Sequence, residues 1–420
     1  MLYRNQTTVH DAARSFAALT MTINPVAMCV PLNLSDLEAD WKACAKHGHF
    51  FNPEFIYDRT ELQRIALLSV DLYSYWSQID LGCLPENELD RAILAILKHR
   101  FTDAILATEI AASILNADDV STQAAIYALY GEPSGSLIMH AYDALAHPSN
   151  YREQRRSRFS SADLSKLESL SFNAEDIRRK FQIALSYYGF HEAWECVIDQ
   201  RVTHAIDARD KTTNGKSQLV IPARKTVNGR ALASLIGHEI ESHIRSSENA
   251  RALFRKLLSR TSLMPLMPLV PLLAKSDNEC FYEGVAKLSD VTTNGDHSLP
   301  HPFYAIAIHN AQSGKNFGEI AQIIAMLRHT GNVSQDEAIN FAWNVTRRIY
   351  RGCTDTSKSF ANTKDYSYFA GYILAKSAPA SYRDYSSMTV DDLQLLEAAG
   401  IGLTRPNYPY EDAVKYIFNL

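Results

Sequence analysis

Leu235-Ile236-Gly237-His238-Glu239-Ile240-Glu241-Ser242-His243-Ile244-Arg245 is the stretch that decides how this chain is read. It sets two histidines and a glutamate in the pattern H-E-x-x-x-H inside a run of helical composition. In the shorter pattern H-E-x-x-H the histidines stand four apart and share one helix face, where they can hold a metal. Here they stand five apart. At about 100° per residue, five steps leave them about 140° out of alignment on an ideal α-helix. A single i→i+5 widening would bring His238 and His243 back onto one face, and such π-type bulges recur at functional sites. Either the spacing is accidental, or the helix is widened between the two histidines to hold a metal, an arrangement in which a local π-type deformation is expected and Glu239 faces a metal-bound water.

The chemistry follows from the residue types. A catalytic Zn2+ has three protein ligands and one open position. His238 and His243 supply neutral nitrogens, while Glu239, next to the first of them, can reach the water instead and act as general base. The metal lowers the pKa of that water towards about 7, so a hydroxide can attack a carbonyl and the proton can pass to the leaving amine. A carboxylate from a following helix is the usual third ligand in such sites. Glu283 is favoured because Gly284 beside it would let two helices come close, and Glu279 is the fallback. Glu241 and Glu248 are weaker choices, since each would have to double back from the motif helix.

Outward from the motif, the composition before it is that of strands. Trp194–Ile198, Thr203–Ile206 and Gln218–Pro222, with turns at Thr213-Asn214-Gly215 and Asn228-Gly229, suggest a small antiparallel sheet feeding the motif helix. Ala174–Tyr188 reads as an amphipathic helix ending at Gly189. Further upstream, Leu62, Ile65, Leu68 and Leu72 open a run of helical periodicity broken at Gly82–Pro85, Asn116–Asp119 and Gly131–Gly135. Arg152, Arg155, Arg156 and Arg158 lie in a polar linker. Pro265, Pro268 and Pro271 exclude a regular helix over Leu263–Leu273, and helical patterns resume at Cys280–Ala286, Tyr304–Ile308, Ile320–Leu327 and Ala338–Tyr350.

The expected fold is thus α+β and mainly α-helical. A zincin-like catalytic lobe holds the small antiparallel sheet and the H-E-x-x-x-H helix, beside a helical N-terminal lobe. The expected organisation is an extension over residues 1–50, a helical lobe over 51–148 and a basic linker over 149–172. A catalytic core over 173–375 and a C-terminal segment over 376–420, packed on that core, complete it.

Composition narrows the class. The 420 residues are 46% hydrophobic and 21% charged, enough to bury a large core. A net charge of −5 argues against a general nucleic-acid binder. No apolar run reaches the roughly 18 residues of a membrane span, and the first residues lack the apolar core of a signal peptide. Six cysteines without a C-x-x-C pair suit free thiols. A cytoplasmic protein is the expectation.

Several ordered segments then resemble the microtubule-associated tyrosine carboxypeptidase family and its bacterial QEGLA-motif relatives. They are Phe51-Asn52-Pro53-Glu54-Phe55-Ile56-Tyr57, Leu129-Tyr130-Gly131-Glu132-Pro133-Ser134, the His238–His243 motif and Glu283-Gly284-Val285-Ala286. Arg348-Ile349-Tyr350-Arg351-Gly352 and Thr363-Lys364-Asp365-Tyr366-Ser367-Tyr368-Phe369-Ala370-Gly371-Tyr372 follow, so the similarity spans about residues 50 to 375. The resemblance implies a zinc metallopeptidase that removes a C-terminal tyrosine from a protein or peptide tail, with tubulin as the substrate of animal members. It implies zinc ligands at His238, His243 and Glu283 and the catalytic acid/base at Glu239. The four chemical residues are kept, whereas Glu241, Ser242, Val285 and Tyr282 depart from the family pattern.

A carboxypeptidase must also hold a terminal carboxylate, a task suited to Arg or Lys. Arg351 and Lys364 are candidates, with Tyr368 or Tyr372 donating to the oxyanion, although Arg351 beside Gly352 and Lys364 beside Asp365 could equally be structural ion pairs. Two alternatives stand beside this one. A dipeptidyl-peptidase-type enzyme also uses H-E-x-x-x-H, but its second glutamate motif is not found. A helical interaction protein with a structural metal site is the non-enzymatic alternative.

Overall fold

The computed structural model describes residues 15–16, 19–20, 23–82, 88–151, 160–200, 202, 206–209, 216–259, 280–288, 302–329, 333–378, 380–385, 393–394 and 410–418. After a one-turn helix at Pro25–Met28 come α1 (Leu34–Lys46), α2 (Arg59–Gly82), α3 (Glu88–Leu115), α4 (Asp119–Tyr130) and α5 (Gly135–Ala146). α3 ends where Ala117 turns to φ 54°, and Asp118 caps α4 by accepting from Ser121 N at 3.0 Å. Gly131 takes φ 75° after α4, and Ser134 caps α5, so the breaks expected at these positions are present.

α6 (Ser161–Ser169) and α7 (Ala174–Tyr187) follow, and each opens on a capping box, Ser160 with Asp163 and Asn173 with Asp176. Around them the chain forms β1 (Ser171–Phe172), β2 (Trp194–Asp199), β3 (Asp207–Arg209), β4 (Ser217–Pro222) and β5 (Val227–Asn228). β1 and β5 make a two-stranded antiparallel sheet. The other sheet is mixed: its order is β2-β4-β3, with β2 and β4 parallel and β3 antiparallel to β4. The reason is the connection. β3 runs against both of its sequence neighbours, so β4 points the same way as β2 and pairs with it in parallel. Of the strand expected at Thr203–Ile206, residues 203–205 lie outside the described residues, and β3 begins just after them.

The motif region is α8 (Gly229–Leu235), a π-helix over Ile236–Ile244 and α9 (Arg245–Ser259). Residues 280–288 form α10. Then come α11 (Pro302–Gln312), α12 (Phe317–Arg328), α13 (Gln335–Ile349), a 3₁₀ turn at Lys364–Tyr366, α14 (Ser367–Ser377) and α15 (Tyr410–Phe418). The architecture is α+β and mainly helical. The proline-rich 263–273 segment and the Arg152–Arg158 patch lie outside the described residues. Among the described residues, no helix is long and apolar enough to cross a membrane.

Two apolar cores organise these elements. One is built from α1 to α5 and α10 to α14, around Trp41, Ile65, Ile110, Phe281, Ile306 and Trp343. The other gathers Phe181, Trp194, Ile221, Ile236, Ile240 and Val414 from α7, the strands, the motif helix and α15. Full burial of each such side chain contributes about 1.5–3 kcal/mol against exposure. The π-helix gives Ile236, Ile240 and Ile244 to the second core, while α10 gives Phe281 and Val285 to the first. The polar residues of these two helices meet where the cores adjoin.

Candidate metal centre

Asn228 starts the motif helix by accepting from Ala231 N at 2.8 Å, and Gly229 lets the first turn lie against the backbone of Leu167. From Ile236 the ladder widens to π spacing and returns to α at Arg245. Ser242 Oγ donates to the Gly237 carbonyl five residues back, at 3.0 Å. In an i→i+5 ladder, residues five apart fall on nearly the same face. The imidazoles of His238 and His243 accordingly stand 4.8 Å apart between ring centres, with planes at 89°. The deformation expected from the histidine spacing is present. Glu239, on the same turn, is buried.

Glu283 is delivered by α10. Gly284 and Gly371 make this possible, because a Cβ on Gly284 would lie well inside 3.0 Å of the Gly371 carbonyl, and a Cβ on Gly371 would strike the Cys280 carbonyl. The bare backbones of α10 and α14 therefore touch, as the glycine after Glu283 suggested. Glu283 Oε2 stands 3.6 Å from His238 Nε2 and 3.9 Å from His243 Nε2. Ligand atoms of these three residues all lie within 4.8 Å of one another. The neighbouring Tyr282 stacks on His243 at 4.0 Å between ring centres and 28° between planes.

The electrostatics keep Glu283 ionised. Burial pushes its carboxyl up, but Lys364, then His243 and His238, outweigh burial and hold it at about 2. Its Oε1 accepts from Lys364 Nζ at 3.3 Å, while the buried Oε2 has no hydrogen-bond partner among the described residues and is turned to the imidazoles. A carboxylate oxygen left so in a protein interior costs about 1–3 kcal/mol or more unless something compensates it. Two neutral imidazoles and one carboxylate are the donor set of a His₂Glu zinc site. Two ligands about 2.0–2.1 Å from a tetrahedral ion stand about 3.3–3.4 Å apart, and the separations at Glu283 Oε2 are close to that. The residues fit a small divalent cation.

Of the substrate-binding candidates, Lys364 and Tyr368 lie beside this cluster. Lys364 Nζ reaches the Tyr368 hydroxyl at 3.5 Å as well as Glu283. Arg351 is buried one layer behind. It pairs with Asp365, and its Nε donates to the Arg348 carbonyl at 3.0 Å. Tyr372 is buried and donates to the Tyr151 carbonyl at 3.1 Å. Glu279 lies outside the described residues. Glu241 pairs with Arg245 at 2.5 Å, and Glu248 accepts from Trp194 Nε1 at 2.9 Å, so both turn to partners other than the histidines.

Arg348 was not singled out from the sequence, and Asp365 entered only as a neighbour of Lys364 in a structural ion pair. Arg348 holds Asp365 through two bonds, Nε at 2.8 Å and Nη2 at 2.9 Å. Burial would raise the Asp365 carboxyl, but Arg348, Arg351 and Lys364 hold it well below the usual carboxylate range. The signals that could have found Arg348 were its place in a family-like segment and its spacing of one helical turn from Arg351. The cysteines carry no such chemistry: those among the described residues are free thiols, and burial pushes Cys29 and Cys196 up to about 12.

A search of curated proteins finds no match to this chain. A family model described as Microtubule-associated tyrosine carboxypeptidase matches residues 304–396. The matched part holds Arg348, Lys364, Asp365 and Tyr368, and it begins after His238, His243 and Glu283. Over α11 to α14 and the residues just beyond, the chain is thus shown to resemble the microtubule-associated tyrosine carboxypeptidase family.

Proposed function

We propose that this chain is a zinc-dependent metallocarboxypeptidase that hydrolyses the C-terminal peptide bond of a protein or peptide tail and releases a terminal tyrosine. The observation that carries the proposal is the convergence of His238, His243 and the buried, ionised Glu283 on one point, beside a segment that matches a tyrosine carboxypeptidase family. His238 and His243 from the π-helix and Glu283 from α10 would hold the ion. Zn2+ bound there would supply Lewis acidity, polarising the scissile carbonyl and making water acidic enough to ionise near neutral pH.

Everything else falls to the chain itself. Glu239, next to His238 and buried, takes the proton of the attacking water and returns it to the leaving amine. Lys364 fixes Glu283 by its bond to Oε1, which leaves Oε2 for the ion. Tyr282 holds the plane of the His243 ring by stacking on it. Tyr368, within reach of Lys364, is the phenol assigned to donate to the oxyanion that forms as the carbonyl is attacked. The chemistry then belongs to residues 173–375, read as a zincin-like core, with 51–148 as a helical lobe. An acidic C-terminal tail of tubulin type is the proposed partner, and a cytoplasmic site of action goes with it.

The test is metal analysis together with turnover on free-acid peptides ending in tyrosine. Purified protein should carry or bind one zinc per chain, and Glu239→Gln should keep the metal while losing about 10²–10⁴-fold in turnover. A chain that binds no zinc, or a Glu239→Gln variant with full activity, would overturn the proposal. Release of N-terminal dipeptides instead of a terminal residue would favour the dipeptidyl-peptidase alternative.

A further inference from the structure

Between α13 and the 3₁₀ turn, residues 350–363 form neither helix nor strand, yet within them only residues 357–359 are exposed. Backbone buried without a ladder must find other partners. Several of them come from α4, which lies outside the residues that the family model matches. Asp119 Oδ1 accepts from Thr354 N at 2.7 Å and from the Thr354 hydroxyl at 2.8 Å, and Oδ2 accepts from Asp355 N at 3.0 Å. One turn further along α4, Gln123 Oε1 accepts from Ala361 N at 2.8 Å. Residues four apart share a helix face, so one face of α4 holds both the outgoing and the returning limb of this segment.

The returning limb leads straight to the metal-binding residues. Asn362 donates its backbone N–H to the Ile349 carbonyl at 2.6 Å and its side-chain amide to the Arg351 carbonyl at 3.0 Å. Its Oδ1 accepts from Lys364 N at 3.1 Å. Lys364 Nζ in turn donates to Glu283 Oε1 at 3.3 Å. Gln123 therefore grips the chain three residues before Lys364, and Asn362 makes the link between them rigid. Beyond Lys364, the carbonyl of Tyr130 at the other end of α4 accepts from the Tyr366 hydroxyl at 2.9 Å. The turn that carries Lys364 is thus held on both sides by the same helix.

The bond that depends on this placement has little slack. At 3.3 Å it already lies just beyond the usual span of about 2.7–3.2 Å for a nitrogen donor, so a small displacement of the returning limb weakens it. We infer that Gln123, supported by Asp119, is a positioning residue: by fastening residues 354–361 to α4 it sets where Lys364 meets Glu283. The placement of Lys364 stands on the hydrogen bonds alone. Its consequence for an ion rests on the metal reading above.

The test takes two measurements on the full chain. In metal-free protein, acetylation of Lys364 by an N-hydroxysuccinimide ester, read by peptide mass spectrometry against the half-exposed Lys46, reports how firmly the ammonium is held. Gln123→Leu should raise Lys364 labelling at least about threefold, while Gln123→Glu, which keeps an acceptor for Ala361 N, should leave it within about 1.5-fold of the parent. Should the leucine variant not fold, Gln123→Asn, one methylene shorter, takes its place with the same expectation. The second measurement is zinc affinity by chelator competition, in a double-mutant cycle with Lys364→Met. Gln123→Leu should shift affinity at least about threefold in the same direction as Lys364→Met, and less than about 1.5-fold once Lys364 is already methionine. A residue that only supported the fold would shift affinity equally in both backgrounds.

Unchanged Lys364 labelling in a folded Gln123→Leu variant would overturn the inference. So would additive effects on zinc affinity, or a Lys364→Met protein that binds zinc like the parent. The two proposals fail separately. A parent chain that binds no zinc removes the metal reading and leaves the labelling to decide the positioning. Zinc binding with parent-like labelling of the Gln123→Leu variant does the reverse.

Discussion

Gly284→Ala is the perturbation that most directly probes how this site is assembled. The added Cβ would lie well inside 3.0 Å of the Gly371 carbonyl, where ordinary contact begins near 3.4 Å. Backbone cannot swing aside as a side chain can, so α10 and α14 must separate by on the order of 1 Å, and overpacking of this kind costs about 1–3 kcal/mol. The same shift carries Glu283, whose Oε2 stands 3.6 and 3.9 Å from the two imidazole nitrogens. Metal–ligand distances tolerate only about 0.2 Å. The expected result is therefore a double loss: about 1–3 kcal/mol in urea unfolding of the metal-free protein, and zinc affinity lowered about 10- to 100-fold. Chelator competition with a zinc-sensitive dye measures the second. Gly135→Ala is the control, since a Cβ there meets nothing within 4 Å. A Gly284→Ala protein that unfolds like the control and binds zinc within about twofold of the parent would refute the view that bare helix contact positions Glu283.

Two other outcomes follow from the charge arrangement. Asp365→Asn leaves Arg348 and Arg351 against a neutral amide and should cost about 3–5 kcal/mol, towards the lower end because the Arg348 side chain is 30% exposed. Asp365 is held below its unfolded value, so its stabilising effect is complete above about pH 5 and fades as pH falls and the unfolded chain takes up the proton first. The gap between parent and variant in urea should therefore narrow by about 1 kcal/mol between pH 7 and pH 3, and a constant gap would contradict the assignment. Free zinc at about 100 times its dissociation constant should stabilise the parent by about 2.7 kcal/mol, seen as a rise in Tm that Glu283→Gln abolishes. A parent Tm indifferent to zinc would count against the ligand set.

Much of the framework was legible in one dimension because its causes are local. Helix limits at Asn116–Asp119 and Gly131–Gly135 follow from residues that tolerate positive φ or cap a backbone, and both stand where expected. The π-widening was legible too, since two histidines five apart can share a face only if the helix opens. The mixed sheet was not. Strand composition marks β2 and β4, but whether they become paired neighbours depends on which side the intervening β3 takes, a non-local choice. The second core likewise joins α7 to α15 across more than two hundred residues of sequence, through Phe181, Val414 and Ile417.

The functional site divides along the same line. His238, Glu239 and His243 stand out in the sequence because their chemistry and spacing are written within six residues, and Gly284 points to Glu283 through what its lack of a side chain permits. Which cations surround that site was decided only in three dimensions. Arg348 and Arg351 are one helical turn apart and look interchangeable in sequence, and both pair with Asp365, yet Arg348 also reaches the Tyr368 hydroxyl while Arg351 is buried and turns its Nε to the Arg348 carbonyl. That difference comes from the packing of α13, α14 and α10 around a buried carboxylate. No local rule encodes it, because the energy that sorts the two arginines arises from partners far along the chain.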